Sequence, residues 1–516
     1  MCVKLQTVGN DSLANSVACW VTRQGPQQGP TISCRSCANK GCSWSSKTQV
    51  EDPVVEPLMT ATTLLLENFL YSMTVNKLQA LSPEWCKEPK KGPKKPRVNS
   101  FFAGIGGFDL GFDRAGIATT FHCEINSFCT SVLKRHWPKV PCVPNILELT
   151  PDQIPDAEVW CGGFPCQDVS VARGWLGRDG LKGKNTGLFY PFAELVKQKT
   201  PTVVLMENVS GLLNSHDGRD FAVILQTFKI LGYGVAWRIF NTRYFGAPQS
   251  RPRVYICAWK GSAINALNVL YEDGITALPE NARLGFLRPT VSPETGAHVP
   301  EVAFCLAATS GRHTGTDWSR SYISYHDEVR RLTPTECEKL QGFPEGWTLP
   351  DEDFHLSEDA IDSLRYHAIG NAVSVPVVEW VAKRIKAALK VTDPKDRGAE
   401  QADPVIGYAK KRVPDFASAK STTVKIETFA DHDDAPKIKW SNGGVMFDGL
   451  CHMAPVSPAP RKPIHSQVVD SLEKTKPSSR YFLSPNAATG ILRRVESQDR
   501  QLFEPLDAAL RRLSKK

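Results

Sequence analysis

The 516-residue sequence predicts an α/β fold on a doubly wound, mostly parallel sheet, with a small inserted module and extra regions at both ends. Three observations carry this. Short apolar runs alternate with stretches of helical length from Val98 to Lys260. The first run ends in a glycine turn, "FAGIGG", that opens a helix. Far downstream, "SVPVVEWVAKRIKAALK" puts Val377, Val381, Ile385 and Leu389 on one helical stripe. Strands separated by helices pair through crossovers, so the sheet is parallel and covered on both faces.

Taken in order, "RVNSFF" is a strand and the helix after the glycines starts near Phe108. "ATTFHCE" is a strand and "SFCTSVLKRHW" a helix; "AEVWC" and "TVVLMEN" are strands around the helix "GLFYPFAELVKQK". "RDFAVILQTFKILGY" is a helix and "RPRVYICAW" a further strand. Alternation fades from Lys260 to about Asp327 and resumes at "LTPTECEKLQGF", where Thr333 and Glu336 have capping-box spacing. "KIKWSNGGVMFDG" suggests a hairpin, and "LSPNAATGILRRVESQ…LDAALRRLSKK" two helices, the first capped by Ser484. The expected organisation is an N-terminal region, 1–97, closed by the basic linker "KEPKKGPKKPR", then a first catalytic part, 98–260. An irregular segment, 261–328, a closing part, 329–391, a linker, 392–436, and a basic C-terminal module, 437–516, follow.

Net charge is +8, and it is concentrated in that linker and in the segment after Arg461, which favours a polyanionic partner. No apolar run approaches the roughly 18 residues of a membrane helix, and "MCVKLQTVGNDSL" lacks a secretory pattern. Fifteen scattered cysteines fit reduced thiols and a cytoplasmic setting. Cys34, Cys37 and Cys42, with Cys19 upstream, could supply four thiolates to zinc, but the spacing repeats no knuckle and no histidine is near; idle thiols are the expectation.

The chemistry gathers at the strand ends. Cys161 sits in an apolar run and reads as inert core, whereas Cys166 follows two glycines on a turn stiffened by Pro165. Glu207 and Asn208 end the next strand, and Arg251 and Arg253 open another. A carboxylate after five apolar residues is costly unless paired or used. Open α/β sheets bind ligands where their strands end, which places these residues with the glycine loop and with Glu124, twenty residues after Gly104. No Walker lysine follows the glycines, so an ATP site is disfavoured.

In this order "FAGIGG", "GFPCQ", "MENV", "QSRPR", "RRLTPTECEKLQGFP" and "GNAVSVPVVEW" resemble the DNA (cytosine-5)-methyltransferase family, in its prokaryotic or phage form, over residues 98–260 and 329–389. The resemblance implies a Rossmann-like methyltransferase fold, S-adenosylmethionine as methyl donor and double-stranded DNA as substrate. It also implies action as a monomer on DNA, with a companion restriction endonuclease possible in principle. It implies that Cys166 adds to C6 of a flipped-out cytosine, that Glu207 holds N3 and the exocyclic amine, and that Arg253 and Arg251 hold O2 and the loop. The implied donor contacts are Phe102, Gly104, Gly106 and Gly107 on the methionine side, and Glu124 on the ribose. Ile125, Asn145, Ile146 and Leu188 flank the adenine, and Asn371 and Val373 close the pocket. The family usually has Asp at the position of Asn145 and often an aromatic at that of Ile125. The loop after Cys166 is expected to close over the base, and residues 261–328 to read the target, with Arg283, Arg288, Arg312, His313 and Arg320 as candidate contacts. The second reading, an RNA cytosine-5 methyltransferase of the same fold, lacks its branch's Cys-Phe-Thr signature here.

Overall fold

In the computed structural model the chain divides into two compact units, Met1–Gly92 and Pro93–Lys516. The structure describes residues 95–164, 187–274, 284–311, 319–350, 355–391, 402–426 and 437–516, together with two short strands of the first unit, Trp20–Thr22 and Thr31–Ser33, which pair antiparallel. Cys19, Cys34, Cys37 and Cys42, Cys166 with the loop after it, and Arg283, Arg312 and His313 lie outside the described residues.

The second unit is built on a ten-stranded sheet. Its elements run β1 (Arg97–Phe101), α1 (Gly107–Ala115), β2 (Ala118–Cys123), α2 (Ser127–His136), β3 (Cys142–Val143), β4 (Val159–Gly162), α3 (Phe189–Lys199), β5 (Val203–Val209), α4 (Arg219–Ile230), β6 (Tyr233–Asn241) and β7 (Pro252–Lys260). Five strands pair in parallel in the order β3-β2-β1-β4-β5, and β7 and then β6 add antiparallel beyond β5. Chain order therefore reverses between β1 and β4, the crevice where such sheets bind ligands. A parallel strand covered on both faces can be apolar on both, as β5 is: Val203 and Leu205 enter one core cluster, Val204 and Met206 another, whereas β1 and β2 also bury Asn99, Ser100, Thr119 and His122.

The rest of the unit comprises α5 (Ala263–Leu270), β8 (Pro289–Val291), β9 (His298–Pro300), β10 (Tyr322–Ser324), β11 (Val329–Arg331), α6 (Pro334–Gln341), α7 (Glu358–Asn371), α8 (Val375–Val391), α9 (Ala402–Arg412), β12 (Thr422–Lys425), β13 (Gly443–Phe447), β14 (Leu450–Ala454), α10 (Pro485–Ser497) and α11 (Glu504–Leu513). Thr333 and Glu336 form the expected capping box on α6, and Ser484 caps α10. In α8, Val377, Val381 and Ile385 are buried where the stripe put them.

Three expectations about organisation need correction. Within 392–436, read as a linker, residues 402–426 are ordered into α9, a short 3-10 turn and β12; Val405, Ala409, Val413 and Phe416 are buried there, a stripe masked by the basic run around them. The basic C-terminal segment is not a separate module: β13 pairs with β6 and carries β14 and β12 onto the same sheet, so only half of the strands are parallel. The hairpin turns at Asp448-Gly449, both at positive φ, as a two-residue type I′ turn requires. Finally α5, placed in the irregular segment, packs into the main core.

Two devices bind the C-terminal segment. Arg238 of β6, 0% exposed, donates to the carbonyls of Leu270, Ser457 and Ala459 and lies over the rings of Phe240 and Tyr271. Burial pushes its pKa down to about 10. The small antiparallel sheet β8-β9-β10-β11 is covered on both sides. Ile323 faces α6 and α7 with Leu340 and Ile369, whereas Tyr322 and Val329 pack under α10 and α11 against Ile491 and Leu510. The strand-like approach to α10 is pinned as well: Leu483 N donates to Val329 O at 2.8 Å, and Glu473 N to Glu336 Oε1 at 3.0 Å. Among the described residues, no helix is long and apolar enough to cross a membrane.

Candidate active site

A cavity of about 250 Å³ opens at the crevice between β1 and β4. Phe102 and Gly104 line it after β1, Cys123, Glu124 and Ile125 at the end of β2, Asn145 and Ile146 after β3, Gly163 after β4, and Leu188 before α3. His367, Ala368, Asn371 and Ala372 close it from α7. The strand ends supply a carboxylate already oriented: Glu124 Oε2 accepts from Gly104 N and Oε1 from Asn126 N, both at 2.7 Å. Each oxygen keeps a further acceptor position, suited to a diol. Phe102 sits at φ 52°, a left-handed conformation that costs a non-glycine residue about 1 kcal/mol or more and persists where the surroundings impose it.

Of the eleven donor contacts expected from sequence, Phe102, Gly104, Glu124, Ile125, Asn145, Ile146, Leu188 and Asn371 line this cavity, while Gly106, Gly107 and Val373 do not. The two glycines serve packing. A Cβ at Gly106, whose φ is 81°, would meet the Trp137 ring at 2.4 Å, and one at Gly107 would meet Val373 Cγ2 at 2.8 Å. Val373 is correspondingly buried against α1. Cys123, Asn126, Cys129, Gly163, His367 and Ala368 were missed, as were Pro144 and Ala372, each next to a predicted residue. The first four neighbour predicted positions in sequence or fold, but His367 and Ala368 lie on α7, for which no periodic signal was read.

The second cluster adjoins the first. A Cβ on Gly163, a cavity residue, would lie 3.5 Å from Glu207 Oε2. Glu207, at the end of β5, is 7% exposed, and its Oε1 stands 3.2 Å from Arg253 Nε. Burial pushes the carboxyl above its ordinary pKa, against the pull of Arg253 and Arg251. Asn208 turns the other way and donates to Phe164 O at 2.9 Å, fixing the chain two residues before Cys166. Arg251 is buried, and its two terminal nitrogens donate to the carbonyls of Leu306, Gly370 and Ala372 at 2.8, 3.1 and 2.8 Å. It locks the segment before β10 to the α7–α8 junction, and is a positioning residue rather than a group that reaches a substrate. Arg253 is left to face the site, beside the exposed Cys305 at 3.8 Å. Arg288 is exposed, and Arg320 is tied to Thr309.

A buried acid of raised pKa next to a cavity suits a proton donor. Glu207→Gln is therefore expected to lower turnover by about 10²–10⁴-fold. The sign with pH follows from the raised value: the protonated form persists above the usual carboxylate range and is lost as pH rises through the shifted pKa, so wild-type turnover falls there. Measured pH–rate profiles should show that alkaline limb in the wild type and not in the variant.

Comparison with known proteins is consistent along the same residues. The family model described as C-5 cytosine-specific DNA methylase matches residues 97–292 and 297–387, more than half of the chain. The type II methyltransferase M.NgoBI of Neisseria gonorrhoeae is 33% identical over 306 residues, covering 55% of this chain and 90% of its own. The type II methyltransferase M.HaeII of Haemophilus aegyptius is 30% identical over 309 residues, covering 56% and 92%. Among solved structures, the methyltransferase EhMeth of Entamoeba histolytica aligns with a TM-score of 0.41 at 19% identity, covering 58% of this chain and 99% of its own.

Proposed function

Since the chain belongs to the C-5 cytosine-specific DNA methylase family, whose methyl donor is S-adenosylmethionine, we propose that it methylates C5 of a flipped-out cytosine within one specific duplex sequence through a Cys166–C6 adduct. The observation that carries this reading is the closeness of the two clusters: a Cβ on Gly163 of the cavity wall would lie 3.5 Å from Glu207 Oε2, so a donor held in the cavity would sit near the acid that would grip the base. The cavity residues fit the donor. Glu124, held by two backbone amides, suits the ribose diol, and Ile125, 74% exposed at the rim, offers apolar surface to the adenine. When bound, the donor supplies an electrophilic methyl group.

The rest belongs to the chain. C5 of cytosine is a weak carbon nucleophile, so the Cys166 thiolate adds to C6 and the electron pair moves toward C5. Glu207, whose burial raises the carboxyl's hold on its proton, donates to N3 and neutralises the charge displaced into the ring. Arg253 stands where it can hold the O2 edge. After C5 takes the methyl group, water accepts the C5 proton, the pair left behind re-forms the C5–C6 double bond, and the Cys166–C6 bond breaks with its pair returning to the thiolate. Asn208 sets the start of the loop that brings Cys166 in, and Arg251 keeps the surrounding segments in register. Residues 261–328, which contribute three of the small sheet's four strands, form the target-reading region. By analogy with relatives named type II methyltransferases, the enzyme protects DNA from a companion nuclease.

The test is methyl transfer from labelled donor to duplex DNA and to tRNA, followed by bisulfite sequencing of DNA from a methylation-free host expressing the protein. Modification of one cytosine context in DNA is expected. Transfer to tRNA alone overturns the DNA reading.

A further inference from the structure

We propose that Glu148 sets the orientation of the Asn145 side-chain amide, and through it the adenine preference of the donor cavity; this rests on the reading of that cavity as the S-adenosylmethionine site. Asn145 lines the cavity and caps the 3-10 turn Ile146–Glu148 that follows β3. Its Oδ1 accepts from Leu147 N at 3.1 Å, and its Nδ2 donates to Glu148 Oε1 at 2.7 Å. An amide has two orientations that exchange donor for acceptor. The flipped one would set Nδ2 against the Leu147 N–H and Oδ1 against the Glu148 carboxylate, two repulsive pairs in place of two bonds. Glu148, itself exposed and outside the cavity lining, adds its share of that cost to the share of the Leu147 N–H.

The fixed orientation has a chemical consequence. With Glu124 on the ribose, the base lies further along the strand ends, toward β3 and Asn145. Adenine presents one exocyclic donor there, its 6-amino group. The remaining lone pair of Asn145 Oδ1 is the matching acceptor, held in place by the Leu147 N–H and by the bond from Nδ2 to Glu148. A carboxylate at 145 would keep the cap but face Glu148 at the distance of the present hydrogen bond, charge against charge. Asn145 and Glu148 are thus a matched pair, in which the negative charge sits one step behind the wall and the amide carries its effect forward.

The test is equilibrium binding, by calorimetry on the full-length protein, of S-adenosylhomocysteine and of its 6-oxo analogue S-inosylhomocysteine. Glu148→Ala should weaken the adenine ligand about fivefold, the worth of roughly one net hydrogen bond, and should shrink the preference over the 6-oxo ligand, since a freed amide can turn to donate. Glu148→Gln, whose carbonyl still accepts from Nδ2, should keep both. Asn145→Asp should bind poorly and Asn145→Asp/Glu148→Gln should recover. Unchanged affinity and unchanged discrimination in Glu148→Ala overturn the proposal. Glu124→Ala separates the layers: if it binds the adenine ligand like wild type, the cavity reading falls and takes the proposal with it.

Discussion

Cys166→Ser is expected to lower methyl transfer by roughly 10⁴-fold or more, the scale of losing an enzymic nucleophile, while leaving the affinity for S-adenosylmethionine unchanged. The second half of that expectation separates chemistry from folding, because the cavity is built from other residues. The wild-type protein should also form a denaturation-resistant complex with duplex DNA carrying 5-fluorocytosine at the target, since fluorine at C5 cannot leave as a proton does and the Cys166–C6 bond persists. The variant should form none. The two thiols that line the cavity make poor substitutes: burial pushes Cys123 and Cys129 up to about 12, so both stay protonated at neutral pH. A serine variant that turned over at the wild-type rate, or a trapped complex mapped to another cysteine, would remove the nucleophile from the account.

Ending the chain at Val456 is expected to cost more than about 5 kcal/mol, a large share of the stability of an ordinary domain, and to yield insoluble protein. Two losses add. Arg238 would keep its burial but lose the Ser457 and Ala459 carbonyls, and an uncompensated buried cation costs about 3–5 kcal/mol. Tyr322 and Val329 would lose the apolar cover of Leu483, Ile491, Leu506 and Leu510, each worth about 1.5–3 kcal/mol when fully buried. The Glu473 bonds to Thr333 and to the buried Arg330–Glu336 pair would go too. Thermal unfolding and soluble yield read the effect. A soluble truncation melting at the wild-type temperature would mean that the terminal segment only decorates the surface.

Sequence carried β1, β2, β4 and β5 of the parallel half because stretches of helical length separate these short runs, whereas β3, two residues long, gave no signal. It carried the strand-end chemistry because a polar residue after an apolar run stands out, as Glu207 does. It did not disclose β6, whose "YGVAWRIFN" mixes a buried arginine into the strand, because the compensation for Arg238 comes from carbonyls more than two hundred residues away. Nor did it disclose α9, whose buried positions sit among lysines and arginines. The glycine loop misled in one respect: three glycines looked like ligand contacts, and only Gly104 reaches the cavity, because close helix packing asks for the same residue. Asn145 was legible as a wall residue, but its dependence on Glu148 needed coordinates, as a side-chain pair three residues apart in a non-repeating turn has no periodic signature.

The small sheet lies between catalytic helices on one face and the terminal helix pair on the other, which bears on how target preference could be re-engineered or acquired. A chimera that imports only another enzyme's stretch corresponding to 261–328 would inherit strands whose outer face was shaped for a different lid. On the proposed function, a hybrid would need the inserted stretch and the terminal helix pair from one source, because Tyr322 packs directly against that pair.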